Sequence, residues 1–367
     1  MRDKIYAYWL DHIRGIGRKT IEQLLFCFPS AESIYFSKES ELLKIVSEKQ
    51  LVELKNSKRN WNLYTEYETL IQKGIHFVSI MDSEYPRRLR EIPDRPYALY
   101  VKGKLPEEEA KTIAMIGARR CSEYGRSMAD EYAKEFAKAG IQVISGMARG
   151  IDGYSQQAAM QHLGTTYAVL GCGCDVCYPS ESRMLYEQIA ITGGILSEYT
   201  PGTQPTPNLF PPRNRIISGL SDAVLVIEAK EKSGTLITVD MALEQGREIY
   251  AVPGRNTDIL SLGCNKLIRQ GAGIALSPRD VISELFGETA IDYVEPGKVE
   301  QTNLDLTEEE KLVMAVLDYM PLSLDFIYQE LQRKERKMNA PKVMATLVCL
   351  QLKKRVGQEG NHYYKLK

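Results

Sequence analysis

The sequence predicts an α/β protein built on a doubly wound, mostly parallel sheet. A small helical domain precedes it, and a C-terminal unit of three helices and a β-ribbon follows. Two observations carry this prediction. Between Lys111 and Phe286, short runs that are apolar nearly throughout alternate with single amphipathic stretches. Strands apolar on both faces belong in a parallel sheet covered by helices on each side. Glycines recur just beyond those runs, where such a sheet gathers the carboxyl ends of its strands.

The elements follow in chain order. Residues 1–105 read as a helical domain with a lead-in segment, helical early and mixed later. Leu10 to Thr20, continuing into the apolar stretch Ile21 to Phe28, spells helix, Gly15-Ile16-Gly17 turn, helix. That is the pattern of a helix-hairpin-helix, whose second helix can offer backbone amides to a DNA phosphate. A hairpin that merely packs two helices has the same spelling. Residues 106–287 form the α/β domain. Its strands are expected at Thr112–Ile116, Ile141–Ile144, Thr166–Leu170, Gly194–Glu198, Ala223–Glu228, Glu248–Val252 and Ile274–Leu276. Helices are expected at Gly125–Lys138, Gly153–His162, Glu181–Ala190 and Thr235–Gln245. Residues 288–304 are polar and aperiodic, which marks a linker. In residues 305–367 a helix should begin behind Thr307, with Glu310 completing a capping box. Helices from about Ser323 to Leu331 and from Ala340 to Leu352 come next, and a strand at Tyr363 to Leu366 ends the chain. This is the outline of a winged helix, and from Leu331 onward its ten Lys and Arg against Glu335 and Glu359 make the most basic stretch of the chain. A solvated protein-interaction domain would look similar.

Composition narrows the function. The 47 Lys and Arg against 48 Asp and Glu leave a formal net charge of -1, so nucleic-acid binding would need local basic patches rather than bulk charge. No apolar run is long enough for a membrane span, and the N-terminus lacks the apolar core of a signal peptide. The seven cysteines then read as reduced thiols in a cytoplasmic protein. Cys174 and Cys177 form a lone C-x-x-C without a second pair, expected to fill a turn after a strand rather than bind zinc. No metal and no cofactor are expected.

The chemistry is concentrated at the glycines. Gly117, Gly146 and Gly171 follow the first three strands, and Gly234 precedes the helix after the fifth. Glycine there brings backbone amides close to a ligand, and helix N-termini favour an anion. Arg119 and Arg120, Arg149, and Arg213 and Arg215 add charge. Ser122, Ser145, Ser233 and Thr235 add hydroxyl donors. The set suits phosphates. The dinucleotide fingerprint, the P-loop and the G-x-S-x-G elbow are all missing, so no strong motif supports catalysis. Asp152 reads as a helix N-cap. Glu228 reads as a strand-end residue and Glu244 as a helix-surface residue.

IGARRCSEYG (116–125), SGMARGID (145–152), YAVLGCGCDVCYPSES (167–182), the long run from Leu196 to Gly254 and GCNKLIRQGA (263–272) together resemble the DNA-processing protein A (DprA, or Smf) family. YPRRLREIPDRPYALYVKG (85–103) is similar to that family's lead-in. The resemblance implies a Rossmann-like core that binds single-stranded DNA, helps load the RecA recombinase and protects incoming DNA in natural transformation. It also implies a helix-hairpin-helix or sterile-alpha-motif-like N-terminal domain, a winged-helix C-terminal domain and self-association. Family DNA-binding positions carry over onto Arg119 and Arg149. Arg213 and Arg215 in FPPRNR match a motif but could equally buttress the site through buried ion pairs. Gly153, Ser155 and Gln156 depart from the family's usual alanines and histidine. Tyr124, Tyr178 and Phe210 are candidates to stack on bases. Leu267, Ile268 and Ile274 are expected in a homodimer contact, because that helix–strand unit carries more apolar surface than one edge need bury. The alternative is a nucleotide-processing enzyme of the phosphoribohydrolase type. SGTLIT (233–238) is reminiscent of that loop, although only Gly234-Thr235 agrees with it.

Overall fold

The computed structural model describes residues 2–287, 306–318, 321–333, 338–353, 355–360 and 362–365. The chain divides into two compact units, Met1–Tyr293 and Val294–Lys367. The first holds a nine-stranded sheet. Its strands are β1 (Ile75–Ser79), β2 (Ala98–Gly103), β3 (Thr112–Ile116), β4 (Gln142–Ser145), β5 (Thr166–Val169), β6 (Gly194–Ser197), β7 (Ala223–Val226), β8 (Glu248–Ala251) and β9 (Gly273–Ile274). They lie in the order β1-β2-β6-β5-β4-β3-β7-β8-β9. From β3 to β9 every pairing is parallel, and β2 runs antiparallel to both β1 and β6.

The seven expected parallel strands are present, with ends shifted by one or two residues. Their apolar character has a direct cause in β3. Ala114 and Ile116 enter one core with Val169, Ile216 and Val224, while Ile113 and Met115 enter another with Tyr132, Phe136 and Ile151. Successive side chains point to opposite faces, and here both faces are covered.

The domain boundary expected at 105 needs correction. Strand β2 pairs with β6, so the lead-in belongs to the sheet. Helices Arg2–Asp11, Arg18–Cys27, Ala31–Phe36, Glu39–Leu42, Glu48–Asn60 and Leu63–Gln72 share one core with that side of it. Trp9 and Leu24 are fully buried in this core together with Tyr100 of β2 and Ile195 of β6. The Tyr100 hydroxyl donates to Asp11 at 2.6 Å. The turn between the first two helices passes through Gly15 at φ +76°, a left-handed conformation that glycine adopts without strain.

Among the described residues the second unit contains helices Glu308–Met314, Leu324–Arg333 and Ala340–Leu352. It adds strands β10 (Leu322–Ser323), β11 (Val356–Glu359) and β12 (His362–Lys365), antiparallel in the order β10-β12-β11. Thr307 and Glu310 close the expected capping box. Val313, Ile327, Leu331, Val343, Leu347 and Leu350 form its own core. The expected linker 288–304 lies outside the described residues, as do the basic residues at 334, 336, 337, 354 and 367.

Candidate nucleic-acid interface

Strand order reverses between β3 and β7, and ligands bind open α/β sheets at such a switch point. A cleft of about 560 Å³ lies there. The loop after β3 supplies Gly117, Arg119 and Arg120, the turn after β4 supplies Ala148, and the start of helix Ile151–Gln161 supplies Asp152. The segment after β7 supplies Lys230, Ser233, Gly234 and Thr235, and helix Phe210–Gly219 supplies Phe210, Arg213 and Asn214. A second hollow of about 850 Å³ adjoins it and shares Arg119, Arg120 and Ala148 with the first. Arg149 lines the second hollow.

Two close backbone approaches set this geometry. Gly150 sits at φ +78°, and a Cβ there would collide with the carbonyl of Ala118 and the backbone of Arg119. The Ile151 amide donates to that Ala118 carbonyl at 3.2 Å. The two arginine-bearing loops therefore lie against each other. Gly146 is also closely approached, since a Cβ would lie 2.7 Å from the Arg213 guanidinium.

The family model for DNA recombination-mediator protein A matches residues 76–286. The chain belongs to that family. It is 33% identical to Protein Smf of a Synechocystis species over 336 residues, which is 88% of this chain and 84% of the relative. It is 43% identical to the DNA processing protein DprA of Streptococcus pneumoniae over 206 residues, 56% of this chain and 73% of that one. The X-ray structure of the S. pneumoniae protein superposes with a TM-score of 0.68 at 34% identity, covering 77% of this chain and 98% of that chain. DNA processing protein A of Helicobacter pylori, whose structure addresses its single-stranded DNA binding mode, superposes with a TM-score of 0.52 at 29% identity. It covers 57% of this chain and 95% of that one.

Within this member of the DprA family, the residues expected from sequence fall into two groups. Gly117, Arg119, Arg213, Gly234 and Thr235 line the first cleft, and Arg119 and Arg149 meet at the second hollow. Arg119 and Arg149 are exposed. Arg149 pairs with Glu181 at the surface, with its side chain 69% exposed. Ser122, Ser145, Gly146, Gly171 and Arg215 line neither hollow. The Ser145 hydroxyl is buried and donates to the Met115 carbonyl at 2.6 Å, so it faces the sheet and not a ligand. Gly171 packs beneath the Phe210 ring. Arg215 is buried, with Nη1 and Nη2 donating to the two Glu198 oxygens at 2.7 and 2.6 Å and Nε donating to the Asp94 carbonyl. Burial pulls its pKa down, and Glu198 more than offsets that, leaving it above the ordinary arginine value. Arg213 is buried too and donates to the carbonyls of Gly146, at 2.9 Å, and Val169.

Two carboxylates occupy amides that sequence assigned to an anion. The Ser122 amide and hydroxyl both donate to Glu228, at 2.9 Å for the amide. Ser122 in turn caps helix Glu123–Lys138 by accepting from Gly125. Asp152 corrects its expected role. The N-cap of helix Ile151–Gln161 is Gly150, while Asp152 sits inside the first turn and accepts from the Gly146 amide at 3.2 Å. Burial pushes the Asp152 carboxyl upward, against the pull of the Arg213 charge. Gln156, one of the departures from the family pattern, is fully buried and accepts from the Met147 amide at 3.0 Å. It thereby holds Met147 in a left-handed conformation at φ +51°.

Sequence reading passed over Lys230. The signal was available: it lies two residues beyond Glu228, on the same carboxyl edge as the other cleft residues. The aromatic candidates separate. Phe210 lies 5.7 Å from the Arg119 guanidinium and 5.4 Å from the Tyr178 ring, whereas the Tyr124 hydroxyl donates to the Pro253 carbonyl at 2.9 Å. Leu267 and Ile268 pack into the sheet's own core, while Ile274 on edge strand β9 is 47% exposed and Leu276 just beyond it 74%. Cys174 is fully buried and its thiol is pushed up by burial. Among the described residues no three His, Cys, Asp or Glu gather as a metal site, and no helix is long and apolar enough to cross a membrane.

Proposed function

We propose that the protein is a cytoplasmic recombination mediator that binds single-stranded DNA along the carboxyl edge of its sheet. In this reading it protects incoming DNA in natural transformation and helps load the RecA recombinase. The observation that carries the reading is the division of labour at the switch point. Glu228 and Asp152 hold the inner amides, while Arg119, Arg120 and Arg149 stand exposed on one continuous rim. Rim cations suit a passing chain of phosphates, and the neighbouring Phe210 and Tyr178 rings suit bases of any sequence. A shift assay with a short unstructured strand, run against duplex and RNA competitors, tests it. Equal competition by duplex would sink the single-strand assignment.

The nucleotide-processing alternative is not favoured. Only Gly234-Thr235 agrees with the loop of that enzyme class, and Lys232 and Ser233 stand where it has glycines. The C-terminal unit is read as a winged helix, and the first helical hairpin as a helix-hairpin-helix. Self-association through edge strand β9 is supported by the exposed Ile274 and Leu276. Ile274→Asp should convert a dimer to a monomer in sedimentation. A wild-type protein that is monomeric at micromolar concentration would remove the dimer from this scheme.

A further inference from the structure

The second hollow runs between two helices, Ile151–Gln161 and Arg183–Thr192. Tyr154, Gln157 and Gln161 share one face of the first by their spacing, and Leu185, Gln188 and Thr192 share one face of the second. Met160 and Met184 complete an apolar floor, with Met184 76% exposed. Three features of this hollow belong together. Its mouth is Arg119, Arg120 and Arg149, two of which are also the rim of the switch-point cleft. The acidic residue in its lining, Glu181, is paired with Arg149, so the mouth keeps a net positive charge. Its walls carry neutral amides, each able to donate and to accept a hydrogen bond.

We infer that this hollow is a second segment of the single-strand track, in which nucleobases lie on the Met, Leu and Tyr floor while their phosphates stay at the arginine mouth. The inference rests on the single-strand reading above and extends it to a site outside the switch-point cleft. Continuity selects this occupant. A strand held at Arg119 reaches the hollow without leaving a positively charged surface, because Arg119 and Arg120 line both the cleft and the hollow. Neutral amides above an apolar floor accept any base, since each base offers an apolar face and a mixed donor–acceptor edge.

The test separates the hollow from the cleft by strand length. Fluorescence anisotropy of the full chain is measured with oligothymidylates of about 5 and about 20 nucleotides, lengths that bracket one and several binding segments. Met184→Glu and Gln188→Glu are exposed helix-surface changes, and thermal unfolding should match wild type. Each should weaken the long strand about tenfold, the equivalent of one stacked base removed, and leave the short strand unchanged. Unchanged long-strand affinity would overturn the second segment, and so would equal weakening at both lengths. A wild-type protein that binds neither strand would overturn the underlying single-strand reading as well, which distinguishes the two failures.

Discussion

The arginines of the two glycine loops and those of helix Phe210–Gly219 look alike in sequence and differ in almost every physical respect. Arg119 and Arg149 stand in water, and the pairing of Arg149 with Glu181 is a surface one. Arg213 and Arg215 are buried, the first donating to the carbonyls of Gly146 and Val169 and the second to both Glu198 oxygens. The first pair leaves its charge accessible at the rim. The second pair fixes the wall against which a ligand would rest. The difference teaches that a basic motif at a ligand edge says little until its acids and carbonyls are known.

The comparison breaks most visibly at Arg215. Arg215→Ala leaves Glu198 without its bidentate partner in a largely dry site, and removing one member of a buried pair costs about 3–5 kcal/mol. Urea unfolding should show that loss, while the fraction still folded keeps its strand affinity. Unchanged stability would place Arg215 with the exposed pair. Next comes Gly150→Val, which forces a branched side chain into a left-handed conformation and against the Ala118–Arg119 backbone. Strain of this kind costs about 1–3 kcal/mol, and the two exposed arginines should separate, so anisotropy should record weaker binding alongside the lower melting temperature.

Arg119→Glu and Arg149→Glu sharpen the contrast from the other side. Both are surface substitutions and should leave the melting temperature close to that of wild type. Both should weaken single-strand binding on any base sequence and flatten its salt dependence by about 0.7 log units for each phosphate no longer neutralised. A stable double variant that binds as tightly as wild type would remove these residues from the interface. The smallest effect is expected at Glu181→Gln. It frees Arg149 from a solvent-exposed ion pair that salt readily screens, so affinity should rise slightly at low salt and converge with wild type as salt increases. A fall in affinity would mean that Glu181 positions Arg149 for the strand.

The central sheet was legible because its parallel strands β3 to β7 are buried along their whole length and carry few polar residues to blur them. Strands β1 and β2 were less so, as IHFVS and ALYVKG sit among charged and proline-rich residues and pair antiparallel at the edge of that set. FPPRNRIISG gave no sign of a helix because two prolines suggest a break. In the first turn they cost no hydrogen bond, and the helix runs on to Gly219. The edge holding the cleft could be found from the glycines alone. The fate of each polar group there could not, because Ser145, Asp152 and Glu228 take partners 6 to 106 residues away. Such long-range pairings leave no local trace in composition or periodicity.

Strand β2 also bears on how the chain is made. It leaves the ribosome directly after the N-terminal helices, yet its partner β6 is synthesised only about a hundred residues later. At about 5–20 residues per second, one side of the β1–β2 hairpin waits roughly 5–20 seconds unpaired. During that interval the backbone amides and carbonyls of Tyr100 to Gly103 lack the ladder that finally covers them, and the core built on Trp9 and Tyr100 is open on the side that Ile195 will close. The nascent chain is therefore most exposed to mispairing in the middle of its synthesis, while the glycine loops that carry Arg119 and Arg149 are being added to it.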